Sequence, residues 1–121
     1  MDILSINNDI KKEINVDAEG KAKFTIRGTA RLLGVTHPVL LKHFQSGNLE
    51  PSELAKMLMD AGFEGGNLLE FSSDGIPDTA FSVIALYYAF YAGRNCTEEA
   101  RLVLLSFSSV GVRAWAQNVT N

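Results

Sequence analysis

Basic side chains able to bind phosphate groups are concentrated in one stretch of this sequence. Between Gly20 and Asn48 there is no aspartate or glutamate, whereas from Leu49 onward nine acidic residues outnumber four basic ones. Because phosphate neutralisation is local, a chain of net charge −3 can still present a positive face to nucleic acid. The basic residues of this acid-free stretch are Lys21, Lys23, Arg27, Arg31 and Lys42.

Residues that could do other chemistry do not combine into a site. His37 and His43 have no cysteine or carboxylate partner in their segment, so they do not predict a metal site. Cys96 is the only cysteine, which excludes an intramolecular disulfide, and no histidine or acid is paired with it in the sequence. The segment from Gly62 to Gly66 lacks the Gly-Lys-Ser/Thr ending of a phosphate loop. We therefore expect no catalytic residue, no metal and no cofactor, and a protein that is not an enzyme.

The acid-free stretch also has the spacing of a helix-turn-helix. Ala30 is a small residue where two helices must approach closely, and Gly34 follows four residues later at the turn. Val35 and Leu40 are expected to fill the space under the turn and under the second helix. In such a motif the second helix enters the major groove of DNA, and dimers meet two half-sites about 34 Å apart.

This motif gives each polar residue an expected role. Phosphate contacts provide affinity that falls with salt, while contacts to base edges provide sequence selectivity. The residues expected nearest the bases or their flanking phosphates are Thr36, His37 and Lys42, and those expected on the DNA backbone are Arg27, Arg31, Lys21 and Lys23.

Two residues of the second helix depart from the usual pattern. Leu41 stands where a base-contacting polar residue is common, and it either packs or touches a thymine methyl group. His43 stands where such motifs often bury an apolar residue, and Phe44 follows it. A rotated recognition helix and a weak readout both remain open at this point.

The flanking elements can be predicted from local patterns. Alternating residues predict a β-hairpin of Glu13–Asp17 and Lys21–Ile26, joined by a turn at Ala18–Gly20. Its inward residues are Ile14, Val16, Phe24 and Ile26. The first motif helix is expected over about Gly28 to Leu33. The second begins after Thr36, with Pro38 in its first turn, turns Val39, Leu40 and Phe44 toward the core, and ends near Gly47.

The C-terminal half reads as three further helices. The third opens at Glu50–Glu53, has an apolar stripe of Leu54, Ala55, Leu58 and Ala61, and stops at Gly62. A loop over Phe63–Gly75 with a short extended piece at Leu68–Phe71 precedes the fourth, which is apolar almost all round from Ala80 to Ala92. The fifth is capped by Thr97 and runs to about Gln117, with apolar positions at Ala100, Val103, Leu104, Phe107, Val110, Ala114 and Trp115.

These elements define a fold that is mainly α with a small N-terminal β-hairpin. Residues 1–48 hold the hairpin and helix-turn-helix, and residues 49–121 form a helical region of the same structural unit. A helix apolar on every face must be covered on every face, so we expect a homodimer through the last two helices. The alternative is that the hairpin and third helix cover it within one chain.

Nothing in the sequence predicts a membrane partner. The N-terminus has neither the basic start nor the apolar core of a signal peptide. The longest apolar run, Ala80 to Ala92, is too short to span a bilayer and reads as a buried helix. A lone cysteine is typical of a reducing compartment, and we expect the protein in the cytoplasm.

Two family resemblances cover most of residues 13–117. The hairpin followed by Ala30–Arg31–Leu32–Leu33–Gly34–Val35 resembles the N-terminal domains of phage antirepressors of the BRO and KilA-N kind. The stretches Gly75–Asp78, Tyr87–Phe90, Ala92–Ala100 and Gly111–Trp115 look like a group of phage-associated cyanobacterial proteins. These resemblances imply a phage or mobile-element regulator and bring no catalytic residues.

Together the observations favour a transcriptional regulator that binds double-stranded DNA as a homodimer. The alternative is a protein-interaction module, such as an antirepressor or a phage-encoded inhibitor of a host defence protein. In that case the acidic half and the aromatic helices would hold a protein partner, and the helix-turn-helix would be structural or autoregulatory. A DNA regulator needs its basic residues exposed on one face, and an interaction module needs an exposed apolar or acidic patch elsewhere.

Overall fold

The structure is a computed structural model that describes the backbone of residues 14–16 and all of residues 22–120 except the side chains at 114, 115 and 120. The predicted turn at Ala18–Gly20, and with it Lys21, lies outside the described residues.

A small antiparallel sheet lies at the N-terminal side of the fold. Strand β1 (Ile14–Val16) pairs with β2 (Ala22–Phe24), and Ile14 stands opposite Phe24, so the predicted hairpin is confirmed. A third strand, β3 (Ile76–Pro77), pairs with the other edge of β2 and was not predicted. Two residues are too few to produce a visible alternation, so this strand has no signature in the sequence.

The helix-turn-helix is formed by α1 (Ile26–Leu33) and α2 (His37–Gln45). Helix α1 begins two residues earlier than expected, because the Thr25 hydroxyl accepts a hydrogen bond of 2.9 Å from the Gly28 N–H and caps the helix there. Ile26, which we expected in the strand, therefore belongs to α1, where it is buried. Helix α2 begins after Thr36 with proline in its first turn, as expected.

The apolar face of α2 is narrower than the sequence suggested. Leu40 and Phe44 are buried as predicted, but Val39 is 41% exposed, and its expected core position is wrong. Successive helical residues are separated by about 100°, which places Val39 on the flank of the helix rather than beside Leu40 and Phe44. Leu41 is half-buried and packs against the core, which supports packing over contact with DNA.

The middle of the chain is more helical than expected. After a 3₁₀ turn (Ser46–Asn48), α3 (Glu53–Asp60) begins at Ser52, whose hydroxyl accepts from the Ala55 N–H. A second 3₁₀ turn (Gly65–Glu70) and α4 (Phe71–Asp74) replace the extended piece predicted at Leu68–Phe71. That prediction was wrong because the two buried residues, Leu68 and Phe71, are three apart, which is a helical rather than a strand spacing. Ala61, expected in the third helix's stripe, is exposed.

The last two helices make most of the remaining core. Helix α5 (Asp78–Leu86) continues as a π-helical turn (Tyr87–Tyr91), and a 3₁₀ turn (Gly93–Asn95) leads to the 23-residue α6 (Glu98–Thr120). Phe81 of α5 stacks on Phe24 of β2 with ring centroids 4.0 Å apart, which joins the sheet to the helices. The mainly α fold with a small hairpin is therefore confirmed.

No helix within residues 22–120 combines the length and apolar character needed to cross a membrane.

Candidate nucleic-acid interface

The two exposed side chains of α1 are both arginines. Arg27 and Arg31 are one turn apart, and the other six residues of the helix are buried. Because residues four apart lie on one helix face, these arginines form a single basic stripe. The stripe is suited to contact two neighbouring phosphates.

The turn between α1 and α2 is tightly constrained. Gly34 has φ of 71°, in the left-handed region, and the Val35 N–H donates to the Ala30 carbonyl oxygen at 2.9 Å. Ala30 is buried, as a close approach of the two helices requires. The spacing that suggested a helix-turn-helix therefore corresponds to a real glycine-capped turn.

The outer face of α2 carries Lys42. Pro38, Lys42 and Gln45 are exposed on that face, and Thr36 is exposed at the start of the helix. The Thr36 side chain makes no capping hydrogen bond, so it is available to another partner. His37 is only half-buried. Thr36, His37 and Lys42 thus lie on accessible parts of one short helix.

Lys23 has surroundings that its sequence position did not suggest. It lies on β2 opposite Pro77 and lines a groove of about 410 Å³ together with Glu64, Glu70 and Asp74. Three carboxylates around one lysine give this groove a negative potential, which repels phosphate. The expected role of Lys23 on the DNA backbone is therefore not supported by its position.

The N-terminus of α6 packs against the turn of the helix-turn-helix. The Thr97 hydroxyl donates to the Leu33 carbonyl oxygen at 2.6 Å, and a Cβ built on Gly34 would overlap the Glu99 carboxylate. Glu99 therefore brings a negative charge to the edge of the otherwise basic motif.

A cluster of aromatic rings lies beside α2. His43 meets Tyr87 and Tyr88 edge-on, with ring centroids 5.6 and 6.2 Å apart, and its Nδ1 is hydrogen-bonded to Ser52 Oγ at 2.7 Å. Burial lowers the pKa of His43. Burial also raises the pKa of Tyr87, with smaller contributions from Glu53 and Cys96.

Tyr88 is the most unusual member of this cluster. Burial, with a smaller effect of Tyr87, raises the pKa of its hydroxyl to about 12. The hydroxyl is buried and has no hydrogen-bond partner among the described residues. The sequence placed these tyrosines in a buried helix, and their cluster with His43 was missed because its members come from separate parts of the chain.

Several apolar side chains are exposed on the last helices. Phe90 and Tyr91, at the end of the π-helical turn, are both more than half exposed. In α6, Leu105, Val112 and Val119 are also exposed, and we call these three residues the apolar stripe. Beyond Phe107 every side chain of α6 whose burial the structure describes is exposed.

The fold and these surfaces define a mainly helical protein built around a helix-turn-helix. Within residues 22–120, no three histidine, cysteine, aspartate or glutamate side chains come together as they would to hold a metal ion. No protein-family model, curated protein or solved structure matches the chain.

Proposed function

We propose that the protein is a transcriptional regulator that binds double-stranded DNA through α1 and α2. The observation that carries this proposal is the exposed chemistry of the two helices. Arg27 and Arg31 are the exposed side chains of α1, and Lys42 lies on the outer face of α2, within a stretch that has no acidic residue. Affinity for the phosphate backbone requires such a local positive face.

In this proposal α2 enters the major groove. Thr36, His37 and Lys42 then read base edges or hold the flanking phosphates, while Arg27 and Arg31 bind the DNA backbone. The uncapped start of α2 supports this orientation, because N–H groups in the first turn of a helix are suited to bind phosphate oxygens.

We further propose that the regulator is a homodimer joined through α6. The residues of the apolar stripe are spaced by seven, which is the period of a coiled-coil seam. Exposed apolar side chains in one row along a helix are stabilised when a partner removes them from water. Pairing two copies of α6 would cover the stripe and place two copies of α2 on one DNA duplex.

The regulated genes that we propose are those of a phage or mobile element, which rests on the family resemblances of the sequence. A DNA target places the protein in the cytoplasm, in accord with its single cysteine. The proposed function requires no catalysis.

Selection of bound sequences from random duplex DNA, repeated at two salt concentrations, tests this function. We expect one motif to be enriched, in two copies related by a two-fold axis, and binding that weakens with salt. Binding that is salt-sensitive but enriches no motif would leave only non-specific affinity and would contradict the proposal.

A second candidate function is that of a protein-interaction module, and the exposed Phe90 and Tyr91 favour it. Aromatic residues on an exposed surface are enriched where proteins bind partners. Replacing both by serine separates the two functions. In both cases the double variant should keep its DNA affinity. A DNA regulator should also keep its biological activity, whereas a protein that acts through a protein partner should lose it.

A further inference from the structure

A groove of about 360 Å³ lies between the helix-turn-helix and the aromatic cluster. One wall comes from the α1–α2 turn and the flank of α2, and the other comes from the π-helical turn and the segment before α6. The volume falls within the range of about 300–1,000 Å³ that small-molecule sites occupy. We call it the aromatic groove, and its lining residues are Gly34, Val35, Thr36, Val39, His43, Tyr87, Tyr88, Asn95 and Thr97.

The lining of the aromatic groove contains no acid, lysine or arginine. It combines the rings of His43, Tyr87 and Tyr88 with two valines and with the polar residues Thr36, Asn95 and Thr97. Such walls favour a flat ligand that can stack on a ring. The Glu53 charge that raises the pKa of Tyr87 and the Glu99 charge at the turn both oppose an anion here.

One polar group of the groove lacks a partner. Tyr88 lines the groove, is only 2% exposed, and its hydroxyl makes no hydrogen bond among the described residues. A buried hydroxyl without a partner is unfavourable, so a ligand that supplies one gains binding energy. Tyr87 and Tyr88 also stand in a π-helical turn, a local departure from the α-helix that is common at functional sites.

We propose that the aromatic groove binds a neutral, planar heteroaromatic molecule, which stacks on the half-buried ring of Tyr87 and supplies a hydrogen-bond partner to the Tyr88 hydroxyl. Its position makes it an effector site. Thr36 and Val39 belong to the wall of the groove and also to the start of α2, so an occupied groove changes the position or freedom of the recognition helix. This effector role rests on the proposed DNA-binding function, whereas the site itself does not.

Indole is a suitable probe, because it is neutral, planar and carries one N–H group. We would titrate indole into the ¹⁵N-labelled protein and follow amide shifts by NMR, with indole-3-carboxylate as the charged comparison. The expected result is saturable binding of indole, weaker binding of the carboxylate, and shifts concentrated at the lining residues. The absence of saturable shifts up to the solubility limit of indole would overturn the site.

Three variants make the test specific. Val39→Phe fills the groove from a side chain that is 41% exposed, and it should abolish the indole shifts. Met59→Phe is the matched control, because Met59 is 39% exposed on α3 and is absent from the lining. Tyr88→Phe should weaken indole binding roughly fivefold through loss of one hydrogen bond. Equal indole binding by the Val39 and Met59 variants would overturn the assignment of the groove.

The effector role is measured separately, by fluorescence anisotropy of a labelled DNA duplex with and without saturating indole. A changed DNA affinity in the wild type and in Met59→Phe, but not in Val39→Phe, supports it. An unchanged affinity in a wild type that binds indole overturns it. If the wild type binds no DNA at all, both the proposed function and the effector role are contradicted. The NMR titration then still tests whether the groove binds indole.

Discussion

The Thr97 hydroxyl donates a hydrogen bond of 2.6 Å to the Leu33 carbonyl oxygen, across 64 residues of sequence. The Thr97 hydroxyl oxygen also accepts a hydrogen bond from the Ala100 N–H at 3.1 Å and thereby caps α6. One side chain thus begins the proposed dimerisation helix and fastens it to the last residue of α1. The helix-turn-helix and α6 are therefore expected to behave as one rigid unit.

Removal of this hydroxyl should destabilise the protein. Thr97→Ala loses both a helix cap and a partly buried hydrogen bond, and we expect the free energy of unfolding to fall by about 1–3 kcal/mol in urea denaturation. Thr97→Ser keeps the hydroxyl and should remain close to wild type. Thr79→Ala, at an exposed threonine, is the control. An equal loss in the Thr97→Ala and Thr79→Ala variants would contradict the role of Thr97.

Substitution of Gly34 should be harmful for two separable reasons. An alanine there must adopt φ of 71°, and its Cβ would also overlap the Glu99 carboxylate. We expect Gly34→Ala to lower the free energy of unfolding by more than about 1 kcal/mol. Adding Glu99→Ala removes the overlap with the carboxylate and should recover that share of the lost free energy of unfolding. The share due to the left-handed backbone should remain, so the two substitutions should be non-additive in a double-mutant cycle.

Gly111 is the control for this substitution, because the same change to alanine is expected to stabilise the protein there. It lies within α6, and a Cβ built on it would meet nothing within 4 Å. Gly111→Ala should therefore stabilise the protein by about 0.5–1 kcal/mol, because alanine is the better helix former. A Gly34→Ala variant as stable as Gly111→Ala would show that the turn is not constrained as described.

The parts of this fold that could be predicted from sequence are those specified by neighbouring residues. Thr36 with Pro38, and Thr97 before its acidic pair, mark helix starts through local chemistry, and both predictions are confirmed. The strand β3 could not be predicted in this way, because it depends on which distant segment pairs with β2 and a local pattern does not carry that information. The flank position of Val39, by contrast, follows from the helical spacing relative to Leu40 and Phe44.

In the candidate site, too, features specified by neighbouring residues could be predicted and features set by distant residues could not. The acid-free stretch identified Arg27, Arg31 and Lys42, and all three are exposed. The carboxylates around Lys23 and the Glu99 contact at the turn come from residues far along the chain, so composition of the local stretch could not reveal them. Local charge patterning predicts which residues could contact phosphate. Tertiary packing decides which of them lie away from acidic residues and can do so.

The buried hydroxyl of Tyr88 should make the protein sensitive to high pH. The unfolded chain releases the tyrosine proton near the ordinary value of about 10. The folded protein retains it until pH about 12, because burial raises the pKa. Between these values the unfolded state binds fewer protons than the folded state, so stability falls as pH rises.

Tyr88→Phe tests this dependence. It should flatten the loss of stability above pH 10 and raise the free energy of unfolding at neutral pH by about 1 kcal/mol, because an unpartnered buried hydroxyl is removed. Tyr91→Phe, at an exposed tyrosine, should do neither. Denaturant unfolding followed across this pH range makes the measurement. A Tyr88→Phe variant that is less stable than wild type would indicate a hydrogen-bond partner for the hydroxyl.

The apolar stripe of α6 should control the oligomeric state. Val112→Glu places a charge in the stripe, and we expect it to convert a dimer into a monomer in light scattering. The monomer should keep its fold, because Val112 is 65% exposed. Val110→Glu is the matched control, since Val110 is also exposed and residues two apart lie on opposite sides of a helix. A wild-type monomer at micromolar concentration, or equal dissociation by both variants, would contradict the proposed interface.

DNA binding should depend on the basic face of α1 and α2 and not on the lysine of the sheet. We expect the Arg31→Ala, Lys42→Ala double variant to bind a selected duplex more weakly, and its salt slope to flatten by up to about 2 if both side chains contact phosphate. Lys56→Ala, which removes one exposed lysine from α3, measures the effect of losing a single positive charge elsewhere.

Lys23→Ala adds a second comparison within the same measurement. Lys23 lines a groove that also contains three acidic residues, so its removal should leave DNA affinity and the salt slope close to those of Lys56→Ala. Fluorescence anisotropy at several salt concentrations gives both quantities for each variant. Unchanged binding by the Arg31, Lys42 double variant would reject the placement of DNA on α1 and α2. A loss in Lys23→Ala as large as in the double variant would move the DNA path toward β2, because only direct phosphate contact can outweigh the repulsion of the surrounding carboxylates.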